Sequence, residues 1–143
     1  MDFVNFDLAK KLKEKGFPQV KRDALAMYNE EGEWFSLAKN LDEFEYSFED
    51  FDDRDCVCPT ISQVLKWLRE EHKVYIEPCI LADCDTDADN KVINTYTYWS
   101  FSITNIETGD MIYYEYEHID DKRFNSYEQA AIAGISYVLD NLI

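Results

Sequence analysis

Apolar positions along this chain change period several times, and each change marks an element. Val4, Leu8 and Leu12 recur at helical spacing with lysines between them, which predicts a first helix over residues 5–15. Its stop signal is Lys15-Gly16-Phe17-Pro18: glycine suits a left-handed residue after the last turn, Phe17 supplies an apolar contact, and Pro18 cannot continue the helix. Residues 24–28 and 33–37 form two short apolar segments joined by Asn29-Glu30-Glu31-Gly32, the pattern of a β-hairpin. Over residues 42–55, Phe44, Tyr46 and Phe48 alternate with acids, which predicts a half-buried strand with its carboxylates in water.

Thr60-Ile61-Ser62-Gln63 after Pro59 is a capping box, in which hydroxyl and amide side chains reciprocally satisfy backbone N–H groups, so a helix starts there. Ile61, Val64, Leu65 and Leu68 form its apolar stripe, with Trp67 at the margin. Three strand-like segments follow, at residues 74–81, 94–104 and 111–118. In the second, Trp99, Phe101 and Ile103 share one face and Tyr96, Tyr98, Ser100 and Ser102 the other. In the third, Ile112, Tyr114 and Tyr116 lie together, opposite Met111 and Tyr113, after a connecting hairpin at residues 105–110. A second capping box, Ser126-Tyr127-Glu128-Gln129, opens a last helix with Ile132, Ile135, Val138, Leu139 and Leu142 on one face, while Ala130 and Gly134 permit close approach to a neighbour. The reading is an α+β fold: a single domain over residues 1–143, with an antiparallel sheet packed by helices (an α-β-β-β-α core over residues 60–143) and an added N-terminal helix and hairpin.

Composition changes this picture in one respect. The chain carries a net charge of -16 while 46% of its residues are hydrophobic, so it has the material for a core and must place its acids on the surface. With 14 Lys and Arg against 30 Asp and Glu, direct binding to nucleic acid or to an anionic membrane is opposed by the molecule's own field. The apolar runs fall far short of the ~20 residues that span a bilayer, and the N-terminus lacks a basic, apolar leader, so a cytoplasmic location is expected.

Candidate chemistry is sparse. Cys56, Cys58, Cys79 and Cys84 could together supply four thiolates to zinc, but neither Cys-x-Cys nor Cys-x4-Cys is the usual knuckle spacing; Cys79 reads instead as a small core residue and the other three as loop residues. Asp85, Asp87 and Asp89 lie at the alternate positions of a calcium loop, yet Asn90 stands where Gly is usual and Tyr96 where a closing Glu belongs, which favours a solvated acidic loop between strands. His72 and His118 belong to no nucleophile motif, and a pairing of Cys56 or Cys58 with His72 is the remaining enzyme reading. No Gly-rich phosphate loop is present among the four glycines, and no motif calls for a cofactor. Tyr96, Tyr98 and Tyr114 on neighbouring strands are candidates for an aromatic contact face.

Three stretches, Ala9-Lys10-Lys11-Leu12-Lys13-Glu14-Lys15-Gly16-Phe17-Pro18-Gln19, the run from Pro59 to Glu71, and Tyr127-Glu128-Gln129-Ala130-Ala131, resemble small proteins encoded by phages and by prophage or mobile regions of gut bacteria. Cys58 departs from that pattern, in which an aromatic residue or Ala precedes Pro-Thr. The element order over residues 60–143 also looks like phage ABA-sandwich domains. The resemblance implies an accessory role and transfers no catalytic residue. The functional expectation is a non-enzymatic interaction module that recognises a protein, a second copy of the chain included. The alternative is a nucleic-acid mimic in which the carboxylates of residues 42–55, Asp50, Asp52, Asp53 and Asp55 among them, and those of residues 83–89 stand in for phosphates and occupy the basic groove of a host DNA- or RNA-binding protein.

Overall fold

A computed structural model describes residues 2–20, 24–37, 51–113 and 123–143. The first helix, α1 (Phe6–Glu14), starts at Asn5, whose side chain accepts the Leu8 amide, and buries Leu8, Ala9 and Leu12. Val4 is buried but extended rather than helical, and its N–H donates to the Pro59 carbonyl. The stop signal works as read: Gly16 has φ +93°, its N–H donates to Lys13, and that of Phe17 donates to Leu12. These are the paired bonds of a Schellman motif.

Strands β1 (Ala26–Tyr28) and β2 (Trp34–Ser36) form the expected hairpin, and β3 (Cys56–Val57), unforeseen from the sequence, pairs with β1 on its other side. The residues after β3 serve two neighbours. Cys58 N–H donates to Ala26, whereas residues 59–61 pair with residues 2–4 of the N-terminal segment. Residues 38–50, and with them most of the predicted acidic strand, lie outside the described residues.

Helix α2 (Ile61–Glu71) carries the complete capping box: the Thr60 hydroxyl accepts from Gln63 N–H at 3.2 Å and the Gln63 side chain accepts from Thr60 N–H at 2.9 Å. Its stripe is wider than predicted, because Trp67 is itself buried, edge-on to Phe17 and His72. Strands β4 (Val74–Thr86), β5 (Val92–Asn105) and β6 (Met111–Tyr113) form a second antiparallel sheet in that order, and residue 124 bridges Trp99 beyond β6. The last helix, α3 (Tyr127–Asn141), is capped by the Ser126 hydroxyl, but Gln129 accepts the Asn125 amide instead of that of Ser126. The predicted box thus closes one residue early.

Three turns share one chemistry. At Asn29, Asp87 and Asn105 a side-chain oxygen accepts two backbone amides ahead of it. Each loop then ends on a left-handed residue, Gly32, Asn90 or Gly109.

Phe101, Ile103 and Ile76 face α2 and α3 and join Leu12, Leu68, Ile135, Val138 and Leu139 in one core. Tyr113 points inward because it pairs with Ile103 and stacks on Phe101 at 4.7 Å, which turns Ile112 outward; and Ser100 and Ser102 are buried although they lie on the face away from Phe101. Gly134 is the point of closest approach: a Cβ there would lie 2.7 Å from Ile76 Cγ2 and 3.2 Å from Phe101.

Helix propensity alone favours Ala over Gly by ~1 kcal/mol. At position 134 the clash decides the sign: Gly134→Ala is expected to lower stability by about 1–3 kcal/mol, read as a lower urea midpoint at unchanged slope.

Candidate functional site

The ladder between β4 and β5 runs from Val74–Asn105 out to Thr86–Val92, well past the helices. Paired residues share a face, so the core side of the sheet continues outward as Ile80 opposite Trp99, Ala82 opposite Thr97, and Cys84 opposite Thr95. Trp99, whose ring meets Tyr127 edge-on at 5.8 Å, is half-buried, and beyond it Ala82, Cys84, Thr95 and Thr97 are all exposed. Ile80 is 58% exposed, Val92 60% and Ile93 67%. No Asp, Glu, Lys or Arg occupies this face from position 80 to the bulge at residues 85–86. In a chain of net charge -16, a charge-free extension of the core into solvent is the feature most in need of a partner.

The other face of the same arm is polar. Asp83 lies opposite Tyr96 and Asp85 opposite Asn94. Arg123 lies over Tyr98, its guanidinium carbon 4.7 Å from the ring centroid, and donates to Asp83 Oδ2 at 2.8 Å and to the Tyr96 hydroxyl at 2.7 Å. The Cys84 amide donates to Asp83 Oδ1 at 2.8 Å. That amide first, and then Arg123, hold the Asp83 carboxyl below the usual carboxylate range. The cluster ties residue 123, at the entry to α3, to the arm.

The predicted site residues fall as follows. Tyr98 is 8% exposed and covered by Arg123, so it offers no free contact face, and Tyr96 is half-buried with its hydroxyl engaged. Tyr114, His118 and Asp50 lie outside the described residues. Asp52 accepts the Arg54 amide and an ion pair from its guanidinium at 2.6 Å, while Asp55 accepts the Asp52 amide at 2.7 Å. Lys13 caps the carbonyls of Asp53 and Asp55. The carboxylates of Asp52 and Asp55 therefore close a turn.

Asp85, Asp87 and Asp89 do not form a calcium loop. Asp85 remains on β4, and Asp87 Oδ1 accepts the amides of Asp89 and Lys91 to close the hairpin. Among the described residues no three His, Cys, Asp or Glu side chains are placed to hold a metal, and the zinc set is dispersed. Cys56 lies in β3 and Cys58 beside it, both buried, whereas Cys79 and Cys84 lie far along β4 rather than in the core or a loop.

Cys58 Sγ donates to the Val4 carbonyl at 3.5 Å, and the Tyr28 hydroxyl donates to the same oxygen at 2.9 Å. Burial pushes the Cys58 thiol up to about 11 and the Tyr28 phenol to about 12. A protonated, buried thiol is a poor nucleophile. His72 caps the far end of the eleven-residue α2, roughly 16 Å of helix from the Cys58 side, so the Cys–His pairing does not form. Cys56 lines a cleft of about 430 Å³ with Phe6, Lys10, Lys13, Glu14, Glu30 and Arg54, but burial raises that thiol too, despite the nearby lysines. The cations of the cleft are matched internally: Lys10 to Asp7, Lys13 to backbone carbonyls, Arg54 to Asp52 and Glu30.

No match to this chain was found among protein-family models, curated proteins or solved structures. Among the described residues no helix is long and apolar enough to cross a membrane.

Two outcomes follow from this geometry. With a thiol reagent and peptide mapping, Cys84 should react fully in the folded protein while Cys56 and Cys58 react only on unfolding. Asp83 should also titrate below the ordinary value of about 3.9. Because its folded pKa is depressed, its contribution to stability is present above that value and is lost as pH falls through the lowered one. NMR of the Tyr96 and Tyr98 rings against pH should show Arg123→Gln moving the midpoint up part of the way, since the Cys84 amide remains.

Proposed function

We propose that this protein is an interaction module that works by binding rather than by catalysis, and that its contact surface is the β4–β5 arm. The observation that supports this reading is the uncharged face of Ile80, Ala82, Cys84, Thr95 and Thr97, with Val92 and Ile93 towards the tip, continuing the core beyond its helical cover. Isolated two-stranded ladders are marginal in water, so an arm of this length gains from a second surface. Asp85 and Asp89, towards the tip, give the contact an acidic border. The partner that complements it is a protein with an apolar surface edged by Lys or Arg. In keeping with the phage resemblance, we place this activity in the cytoplasm as that of a mobile-element accessory protein acting on another protein.

A mimic of nucleic acid is the less favoured reading. Asp52, Asp55, Asp83 and Asp87 already accept intramolecular hydrogen bonds, which leaves them poorly placed to receive a partner's cations.

The test is cross-linking in host lysate from a photoactivatable group on Cys84, followed by reconstitution with the purified partner. The double variant Ile80→Asp, Val92→Asp should fold, because both positions are more than half exposed, and should weaken the reconstituted complex more than tenfold. Binding that survives both substitutions but collapses with salt overturns the arm reading in favour of electrostatic mimicry.

A further inference from the structure

The arm has an edge as well as a face. Among the described residues β4 pairs with β5 alone, so no described strand lies along the outer backbone of residues 80–86, where the Cys84 amide is taken by the Asp83 carboxylate and those of Ile80 and Ala82 face the edge. Pro78, which has no N–H to donate, sits just before this stretch, and no further proline interrupts it. Along the edge, Ile80, Ala82 and Cys84 lie on the core side, and Leu81, Asp83 and Asp85 on the other, with Glu77 preceding them; Asp83 is already paired with Arg123, which leaves Asp85 and Glu77 as the acids of that row towards a neighbour.

A strand laid along this edge would place alternate residues beside these two rows. Apolar residues would extend the uncharged face, and basic residues would stand beside Asp85 and Glu77, where opposite charges on neighbouring strands stabilise a sheet. A second copy of the chain is the wrong occupant. Two β4 edges paired antiparallel about residue 84 would bring Asp83 and Asp85 against their counterparts, between chains of net charge -16 each. Nucleic acid is opposed by the same acids.

From this edge, and resting on the arm reading above, we infer that residues 80–86 accept an extended segment of the partner protein by strand addition, a segment in which apolar and basic residues alternate. Main-chain hydrogen bonds would supply affinity, and the two side-chain rows would supply selectivity and register.

The probe is a ten-residue peptide of alternating Lys and Val, compared with one of alternating Glu and Val and with a block peptide of the same Lys and Val composition. Binding is read by backbone amide NMR on the intact protein at about 0.15 M salt, where long-range charge effects are screened. The expected result is binding of the Lys-Val peptide with amide shifts and exchange protection confined to residues 80–86. The block peptide should bind more weakly. Asp85→Lys should lower the affinity for the Lys-Val peptide about fivefold and raise that for the Glu-Val peptide by a similar factor. Equal binding of the block peptide, shifts centred elsewhere, or indifference to Asp85→Lys would each overturn strand addition. If the Lys-Val peptide fails while Ile80→Asp, Val92→Asp still disrupts the reconstituted complex, strand addition falls and the arm reading stands. If the double variant leaves that complex intact, the arm reading falls with it.

Discussion

The β4–β5 ladder is longer than the layer that covers it, and the rest of the molecule is arranged around that mismatch. Strands of 13 and 14 residues pair continuously, yet burial along β4 is complete only at Val74 and Ile76 and fades past Ile80. The inner half behaves as a core sheet: Phe101 and Ile103 are fully buried, and Gly134 lets α3 lie close on Ile76. The outer half has no such packing and is held by local devices. Asp87 and the left-handed Asn90 close its tip, while Arg123 ties Asp83 and two tyrosines to the start of α3. Trp99 sits at the boundary, paired with Phe124 through the backbone and with Tyr127 through its ring. Local hydrogen bonds can fix the shape of a hairpin, but they bury little apolar area, so the outer half is stable in shape and incomplete in solvation.

The N-terminal half solves a different problem. Its strands are two or three residues long, too short to hold one another by ladder bonds alone. What secures them is convergence on the segment of residues 56–61, which pairs with β1, receives the N-terminal extension, and then begins α2. The Val4 carbonyl accepts from both Tyr28 and Cys58, so three parts of the chain meet at one buried oxygen. Cys58 suits this place because a thiol is small and apolar and still donates a weak hydrogen bond. That use explains a buried cysteine without any reactivity.

Much of the fold was legible because it rests on short-range chemistry. The Schellman stop at Gly16, the Thr60–Gln63 box and the Asn29 hairpin are each decided within four or five residues, and each formed as read. Pairings decided by distant residues were not legible. β3 exists because β1 lies beside it, and Tyr113 turns inward because its register is set by Ile103. The candidate site was missed for a related reason. Residues 83–89 were read as a loop since their acids dominate the local composition, although Ile80, Ala82 and Cys84 alternate with Leu81, Asp83 and Asp85 in the period of a strand. The period was present in the sequence. The exposure of that row among the described residues, which makes it a surface, is a tertiary fact.

On the proposed reading, acidity and the uncharged arm act on different steps of recognition. The net charge of -16 sets a field that favours cationic over anionic groups, but in physiological salt that field decays within about 8 Å. It changes encounter rates more than the lifetime of a complex. Lifetime depends on what is desolvated at contact, and many carboxylates here are poor candidates because they are already committed to turns at Asp52, Asp55 and Asp87. Ile80, Ala82, Val92 and Ile93 carry no such commitment, and their removal from water is favourable whichever partner supplies the cover. The proposed contact therefore divides its work: the acids bring the right class of partner near, and the exposed half of one hairpin decides whether it stays.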